Sequence, residues 1–501
     1  MTGIRFARVL SAVRRASSKK HPRPPRQSAR SLVADSSLGK QALFISLLLL
    51  TLNVQSGQAA DALKFFKNYF ITGDYVVGGV GLRGQGANDS ATAAIVGSGV
   101  TSFATGTIHM SGVPAGADIV AAYLYWEAIR GSSVDPATLA GGTFRGNKIV
   151  GKQLASGALA CWGSGGGNGT TSGATPLLVF RADVLRYLPY MAAANGQPSG
   201  QRLVNDADLG AALTTVSLPD SGAGGGNSPS SSNQAFLVEG ASLVVVYRTP
   251  ADPLRAVVIY DGGYTFSSAN PTMTQTIQGF YEASTISPTA KMTHIVGNGR
   301  NFQAKLYFNG TQLTPQNSSV PSATDPFPGA LGSAWDNLTV TVTSPLMSGD
   351  DASVMTSVTP SDPSSVACLS WGAIVFSTTV QDMDGDGLLD VWEKSPPPKD
   401  PNGNPLPDIH AMGADPTIKD IFVEIDYMAT SGYATGQGPV PAHSHLPTQA
   451  ALDKVGDAFL AKQIHIHFDV GANYPGNPYV IPANKGVRGG DSIDEKDPRV
   501  V

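Results

Sequence analysis

Cysteine is nearly missing from this chain: 501 residues contain two, Cys161 and Cys368. A disulfide-dense scaffold is thereby excluded. Charge is also scarce, at 14% of residues against 42% hydrophobic. No apolar run reaches the roughly 20 residues that a membrane-spanning helix needs. The eight histidines (His21, His109, His294, His410, His443, His445, His465, His467) include no pair four apart. An H-E-x-x-H zinc helix is therefore not encoded within these residues.

The few charges are unevenly placed. Residues 1 to 40 hold ten Lys or Arg against Asp35 alone, which leaves 24 basic and 37 acidic side chains in the rest, a net −13. Nucleic-acid binding is not expected of so acidic a body. The basic stretch leads into Ala42 to Leu52 (ALFISLLLLTL) and then Ser56-Gly57-Gln58-Ala59-Ala60. Basic flank, short apolar run and small residues predict a secretory signal peptide cut near Ala59 or Ala60, with a retained signal anchor as the alternative. Membrane contact is expected through this segment only. In an exported protein the two cysteines suggest one bridge, and two independent buried thiols are the other reading.

What is abundant is glycine (57) and proline (35), which favour an all-β architecture with many turns. Residues 61 to 380 alternate short β-forming runs with turns. Ile119 to Trp126 (IVAAYLYW) is apolar throughout and predicts a strand buried on both faces. Phe144 to Val150 and Leu306 to Leu313 each place a Gly/Asn pair between β-formers and predict hairpins. Ser242 to Tyr247 and Leu254 to Tyr260 predict adjacent antiparallel strands. Leu338 to Thr343 alternates strictly, one face buried and one wet. A helix is expected from Ala182 to about Ala194. Gly163 to Gly173 and Ser221 to Asn233 are low-complexity surface insertions. His109 and His294 are expected to be plain surface or core residues.

Chemistry concentrates at Asp382-Met383-Asp384-Gly385-Asp386-Gly387-Leu388-Leu389-Asp390-Val391-Trp392-Glu393. Carboxylates at loop positions 1, 3, 5, 9 and 12 suit the all-oxygen shell of calcium, Gly387 permits the turn at position 6, and Leu388 offers a carbonyl at position 7. The predicted metal site is Asp382, Asp384, Asp386, Leu388, Asp390 and Glu393, and the predicted ion is calcium. Ala373 to Val380 before it predicts a strand, and Pro396-Pro397-Pro398 after it stop any helix within a turn. The segment resembles the DxDxDG loops of dockerin and thrombospondin type 3 repeats. Asp400, Asn402, Asn404 and Asp408 form either a weaker copy or a polar turn.

Beyond Asp415-Pro416, Asp420 to Tyr427 (DIFVEIDY) predicts a strand. Thr448 predicts the N-cap of a helix to about Lys462, and Ile464 to Gly471 (IHIHFDVG) a second strand, parallel to the first. His465, His467 and Asp469 share a strand face. With His443 and His445 nearby they could build an improvised zinc site, although alternate polar residues usually mark a solvated face.

Two wider resemblances follow. PAGADIVAAYLYW, FRADVLRYL and GASLVVVYRTPADPLRAVVIYDG together resemble an uncharacterised β-domain of bacterial and archaeal surface proteins, which implies a β-sandwich and no assigned chemistry. The calcium loop with GADPTIKDIFVEIDYM, a His-Leu-Pro turn and IHIHFDVG resembles exported proteins that place this constellation ahead of a metzincin-type zinc metalloprotease helix, and Val501 precedes any such helix. The expected fold is mainly β: an antiparallel β-sandwich (61–380), a calcium-binding linker (381–413) and a small, incomplete α/β unit (414–501), after a basic segment and signal peptide (1–60). The expected function is a secreted or cell-surface calcium-binding protein without catalysis of its own, its β-domain serving adhesion or binding an extracellular ligand or surface component. The alternatives are the front portion of a secreted zinc metallopeptidase and, with less support, a polysaccharide-binding module.

Overall fold

Apolar runs without alternation, such as IVAAYLYW and SLVVVY, require strands covered on both sides, and the architecture provides that cover. The computed structural model describes residues 62–82, 94–96, 102–130, 134–159, 176–192, 198–220, 236–266, 271–285, 288–297, 303–331, 335–343, 346–362, 369–394, 397–485 and 488–497. The signal-peptide reading, both cysteines and the two low-complexity insertions lie outside these residues.

The protein is mainly β, built from several antiparallel sheets. Nine strands are ordered Trp335–Thr343, Thr289–Gly297, Ser370–Thr379, Leu254–Thr265, Lys64–Gly81, Phe236–Arg248, Asp118–Arg130, Pro176–Asp183, Lys152–Leu159, every neighbouring pair antiparallel. The long strand Lys64–Gly81 joins two halves. Its residues 64–72 pair with Leu254–Thr265, and its residues 73–81 with Phe236–Arg248. The expected direct pairing of Ser242 to Tyr247 with Leu254 to Tyr260 is thus corrected. Two apolar strands joined by a short Pro-containing turn looked like a hairpin, but the first strand of the described chain stands between them.

One core lies between the halves and holds Tyr123, Tyr125, Val244 and Val246 from one and Val257, Ile259, Ala373 and Val375 from the other. The alternate residues of the same strands face outward into two further cores. Leu124, Trp126, Leu243 and Val245 pack beneath a five-stranded sheet that includes Phe103–Ile108 and Thr214–Pro219. Val258, Tyr260, Ile374 and Phe376 pack beneath a four-stranded sheet of Met273–Ile277, Val354–Pro360, Ala304–Phe308 and Thr311–Gln312. Each fully buried Val or Leu contributes about 1.5–3 kcal/mol, so every inner strand draws on two cores. Strands at the rim alternate as expected: Leu338, Val340 and Val342 are buried while Thr339 and Thr341 are exposed.

Both predicted hairpins form. Arg145 (φ 51°) with Gly146 (φ 74°), and Asn309 (φ 45°) with Gly310 (φ 78°), occupy the left-handed region that the two-residue turn demands. The helix expected from Ala182 does not form. Pro176–Asp183 is a strand in register with Asp118–Arg130, a short 3-10 turn covers Leu185–Tyr187, and Tyr190–Ala192 is a strand. Pro189 withholds the amide that a helix would use, and the sheet offers a partner for the residues up to Asp183.

After the β-region, helix Asp390–Glu393 is a single turn. Strand Lys419–Glu424 pairs in parallel with Ile464–Asp469, and helix Gln449–Leu460 crosses between them with Thr448 Oγ1 capping the Ala451 N–H. The strand expected to run to Tyr427 is interrupted after Glu424, and Tyr427–Thr430 belongs to a different sheet. Among the described residues no helix is long and apolar enough to cross a membrane.

Candidate metal centre

The acidic loop starts two residues after the β-region's last strand pairing and is anchored to it through Trp392. That indole stacks edge-on against Phe70 (4.6 Å between ring centres) and Tyr281 (5.7 Å), while Leu389 is fully in the β core. Tight turning comes from Gly385 (φ 72°) and Gly387 (φ 93°), conformations that a Cβ would strain. Asp382 organises the turn: Oδ1 accepts the N–H groups of Gly385 (2.8 Å) and Asp386 (3.2 Å), and Oδ2 that of Gly387 (3.0 Å).

Two overlapping groups of carboxylates result. Asp382, Asp384 and Asp386 bring one oxygen each within 4.8 Å of one another, and so do Asp386, Glu393 and Asp420. Asp420 comes from strand Lys419–Glu424, and its backbone N–H donates to Asp386 Oδ2 at 2.7 Å. Beside it, Lys419 Nζ donates to the Gly385 carbonyl at 2.6 Å. The loop is thus closed by the chain that follows it.

Its electrostatics are adverse. Asp384 Oδ2 and Glu393 Oε1 are buried without a hydrogen-bond partner, a state that costs about 1–3 kcal/mol per group. Burial, then Asp386 and Asp382, push the Asp384 carboxyl up to about 6. Glu393 is pushed up to about 8 by burial and by Asp386, Asp384, Asp420 and Asp390. A divalent cation among these oxygens would supply both the missing partner and the missing charge. Oxygen-only donors fit calcium, which takes six to eight of them.

The expected ligands divide. Asp382, Asp384, Asp386 and Glu393 converge. Asp390 stands in neither group: its Oδ1 accepts the Met383 N–H at 2.8 Å and closes the loop from within. Leu388 follows the turn, its N–H donating to Asp386 Oδ1 at 2.7 Å. Asp420 is the residue the sequence did not assign. Nothing in the sequence set it apart from Glu424 and Asp426, the other acids of the same stretch.

The later segment at Asp400 is a polar turn. Asp400 Oδ1 accepts the N–H groups of Asn402 and Asn404, and Oδ2 the Asn404 side-chain amide. Asp408 Oδ1 accepts the Ala411 N–H.

The histidines fall into separate groups. Asp469 is not grouped with His465 and His467; its Oδ1 accepts the Gly471 N–H and its Oδ2 the Arg488 N–H. Asp420 takes that place instead, its Oδ1 lying 2.5 Å from His467 Nε2 and 3.9 Å from His465 Nδ1. His443 and His445 stand elsewhere, beside Glu495. His294 is a core residue, bonded to the Trp371 indole N–H and pushed down to about 3 by burial. His109 is an exposed partner of Asp206.

No family model matches the chain, and no curated protein matches it. Among solved structures, the cryo-EM structure of the Sputnik virophage aligns at 10% identity over 69% of this chain and 91% of that chain, with a TM-score of 0.14. A likeness of that size carries no weight for fold or function.

Proposed function

We propose that the chain is an exported calcium-binding protein in which one ion braces the β-region against the α/β unit, leaving the β-region to bind an extracellular ligand or surface component. The observation that carries this reading is the pair of orphaned buried oxygens, Asp384 Oδ2 and Glu393 Oε1, inside a ring of acids completed by Asp420 from the next unit. Such a ring is unstable alone and stable around a hard cation. Export is supported by the basic and apolar start of the chain, and an exported module is expected to hold calcium with a dissociation constant of about 0.1–1 mM. Titration calorimetry of the full chain tests the reading. One calcium at such affinity, lost in Asp386→Asn and not replaced by magnesium, supports it; no uptake overturns it.

The metallopeptidase alternative rests on the resemblance carried by GADPTIKDIFVEIDYM and IHIHFDVG, stretches that here form the two parallel strands of a strand–helix–strand unit. Cleavage of a peptide pool by the purified chain, blocked by a zinc chelator, would favour it over a non-catalytic role.

A further inference from the structure

A second cluster, remote in sequence from the acidic loop, presents a different donor set. Strand His443–Ser444 pairs antiparallel with Tyr427–Thr430, which pairs in parallel with Ser492–Asp494. The His445 N–H donates to the Met428 carbonyl (2.8 Å) and the Glu495 N–H to the Ala429 carbonyl (3.2 Å). Thr430 stands opposite His443 in the ladder. Three residues from two chain segments are therefore clamped to one four-residue strand, and one ligand atom of each lies within 4.8 Å of the others.

Hydrogen bonding fixes what these atoms can do. His443 Nδ1 is 2.8 Å from the Pro441 carbonyl, which can only accept, so Nδ1 carries the proton and Nε2 is turned to Glu495 Oε2 at 3.2 Å. His445 Nε2 lies 3.8 Å from the same oxygen. The two rings stand edge to face, 5.0 Å apart at 76°, rather than stacked. Glu495 Oε1 is buried without a hydrogen-bond partner. A backbone carbonyl on Nδ1 is the usual orienting partner of a metal-binding imidazole. One proton would serve one ring; a metal ion would serve all three side chains.

We infer that His443, His445 and Glu495 form a binding site for a divalent transition ion of the zinc class, separate from the acidic loop. Two imidazoles and one carboxylate suit zinc and its neighbours and are a poor shell for calcium or magnesium. Both imidazoles are exposed, which leaves room for water to complete the coordination.

The test adds cobalt(II), then zinc, to full-length protein freed of transition metals and held in millimolar calcium so that the acidic loop is saturated. The expected result is one cobalt per chain, with visible absorption bands that zinc abolishes. The double variant His443→Ala/His445→Ala should lose the bands, and Glu495→Gln should weaken binding by about tenfold or more. Unchanged thermal midpoints would show that these variants fold. Bands that persist in the double variant, bands that disappear only in His465→Asn, or no uptake below millimolar cobalt would each overturn the assignment.

Discussion

Asp420 Oδ1 lies 2.5 Å from His467 Nε2 while its Oδ2 accepts the Asp415 N–H at 2.7 Å, so this carboxylate is held at both ends. The imidazole is itself fixed, stacked on Phe422 at 4.7 Å and closely approached by Gly413, where a Cβ would meet the ring at 2.8 Å. Asp420 therefore reaches Asp386 and Glu393 as a pre-positioned group rather than a flexible one. Pre-positioning of this kind spares an ion the cost of ordering its ligand.

Asp420→Asn should weaken calcium binding by about tenfold or more, whereas Asp390→Asn should weaken it less, since Asp390 closes the loop and stands outside both carboxylate groups. Calorimetric titration of both variants separates them. Equal losses would count against Asp420 as a ligand.

Chelating the ion should lower the thermal midpoint. A ligand at a hundredfold excess over its dissociation constant stabilises the folded form by about 2.7 kcal/mol, which corresponds to a shift of about 5 °C or more. Differential scanning calorimetry with and without chelator reads this directly, and coincident midpoints would refute it.

Trp392→Ala should cost about 2 kcal/mol of stability and weaken calcium binding with it, because the indole ties the turn containing Glu393 to Phe70 and Tyr281. Trp392→Phe should retain most of both, since the indole Nε1 is buried without a partner. Denaturant unfolding followed by calcium titration of the two variants checks the pairing.

The pH dependence of stability should carry the mark of a buried pair in the β core. Glu127 and Glu239 are both fully buried, and Ser370 Oγ donates to Glu127 Oε2 at 2.6 Å. Burial, then the charge of Glu239, raise the Glu127 carboxyl well above its ordinary 4.5. The folded chain then holds a proton that the unfolded chain releases above about pH 4.5, so stability falls as pH rises through that window. Glu127→Gln should raise the midpoint by about 3 °C at about pH 8 and leave it unchanged at about pH 4. Equal effects at both pH values would show that the substitution acts by packing alone.

Local chemistry was legible in the sequence wherever one stretch of chain decides the outcome. The Arg145-Gly146 and Asn309-Gly310 turns, the Thr448 cap and the glycine turns of the acidic loop are set by residues within a few positions of each other. Runs such as IVAAYLYW disclosed strands buried on both faces, though not that three separate cores supply the cover. What stayed hidden depends on partners far apart in the chain. Pairing of Val76 with Val245 and of Tyr69 with Val257 has no local signature, so the position of the first strand was missed. The place of Asp420 beside Asp386 and Glu393 was missed for the same reason, as was the use of both Asp469 oxygens by backbone amides.

The placement of Lys64–Gly81 has a consequence for biogenesis. The earliest strand of the described chain finds neither of its neighbours until residues 236–265 have been made, and closing so wide a loop is entropically slow. Neither half of the nine-stranded sheet can seal its seam while that segment is still inside the ribosome or a translocation pore. A chain made from its amino end would thus carry this strand without either neighbour while pairings such as Asp118–Arg130 with Pro176–Asp183 are already available to form.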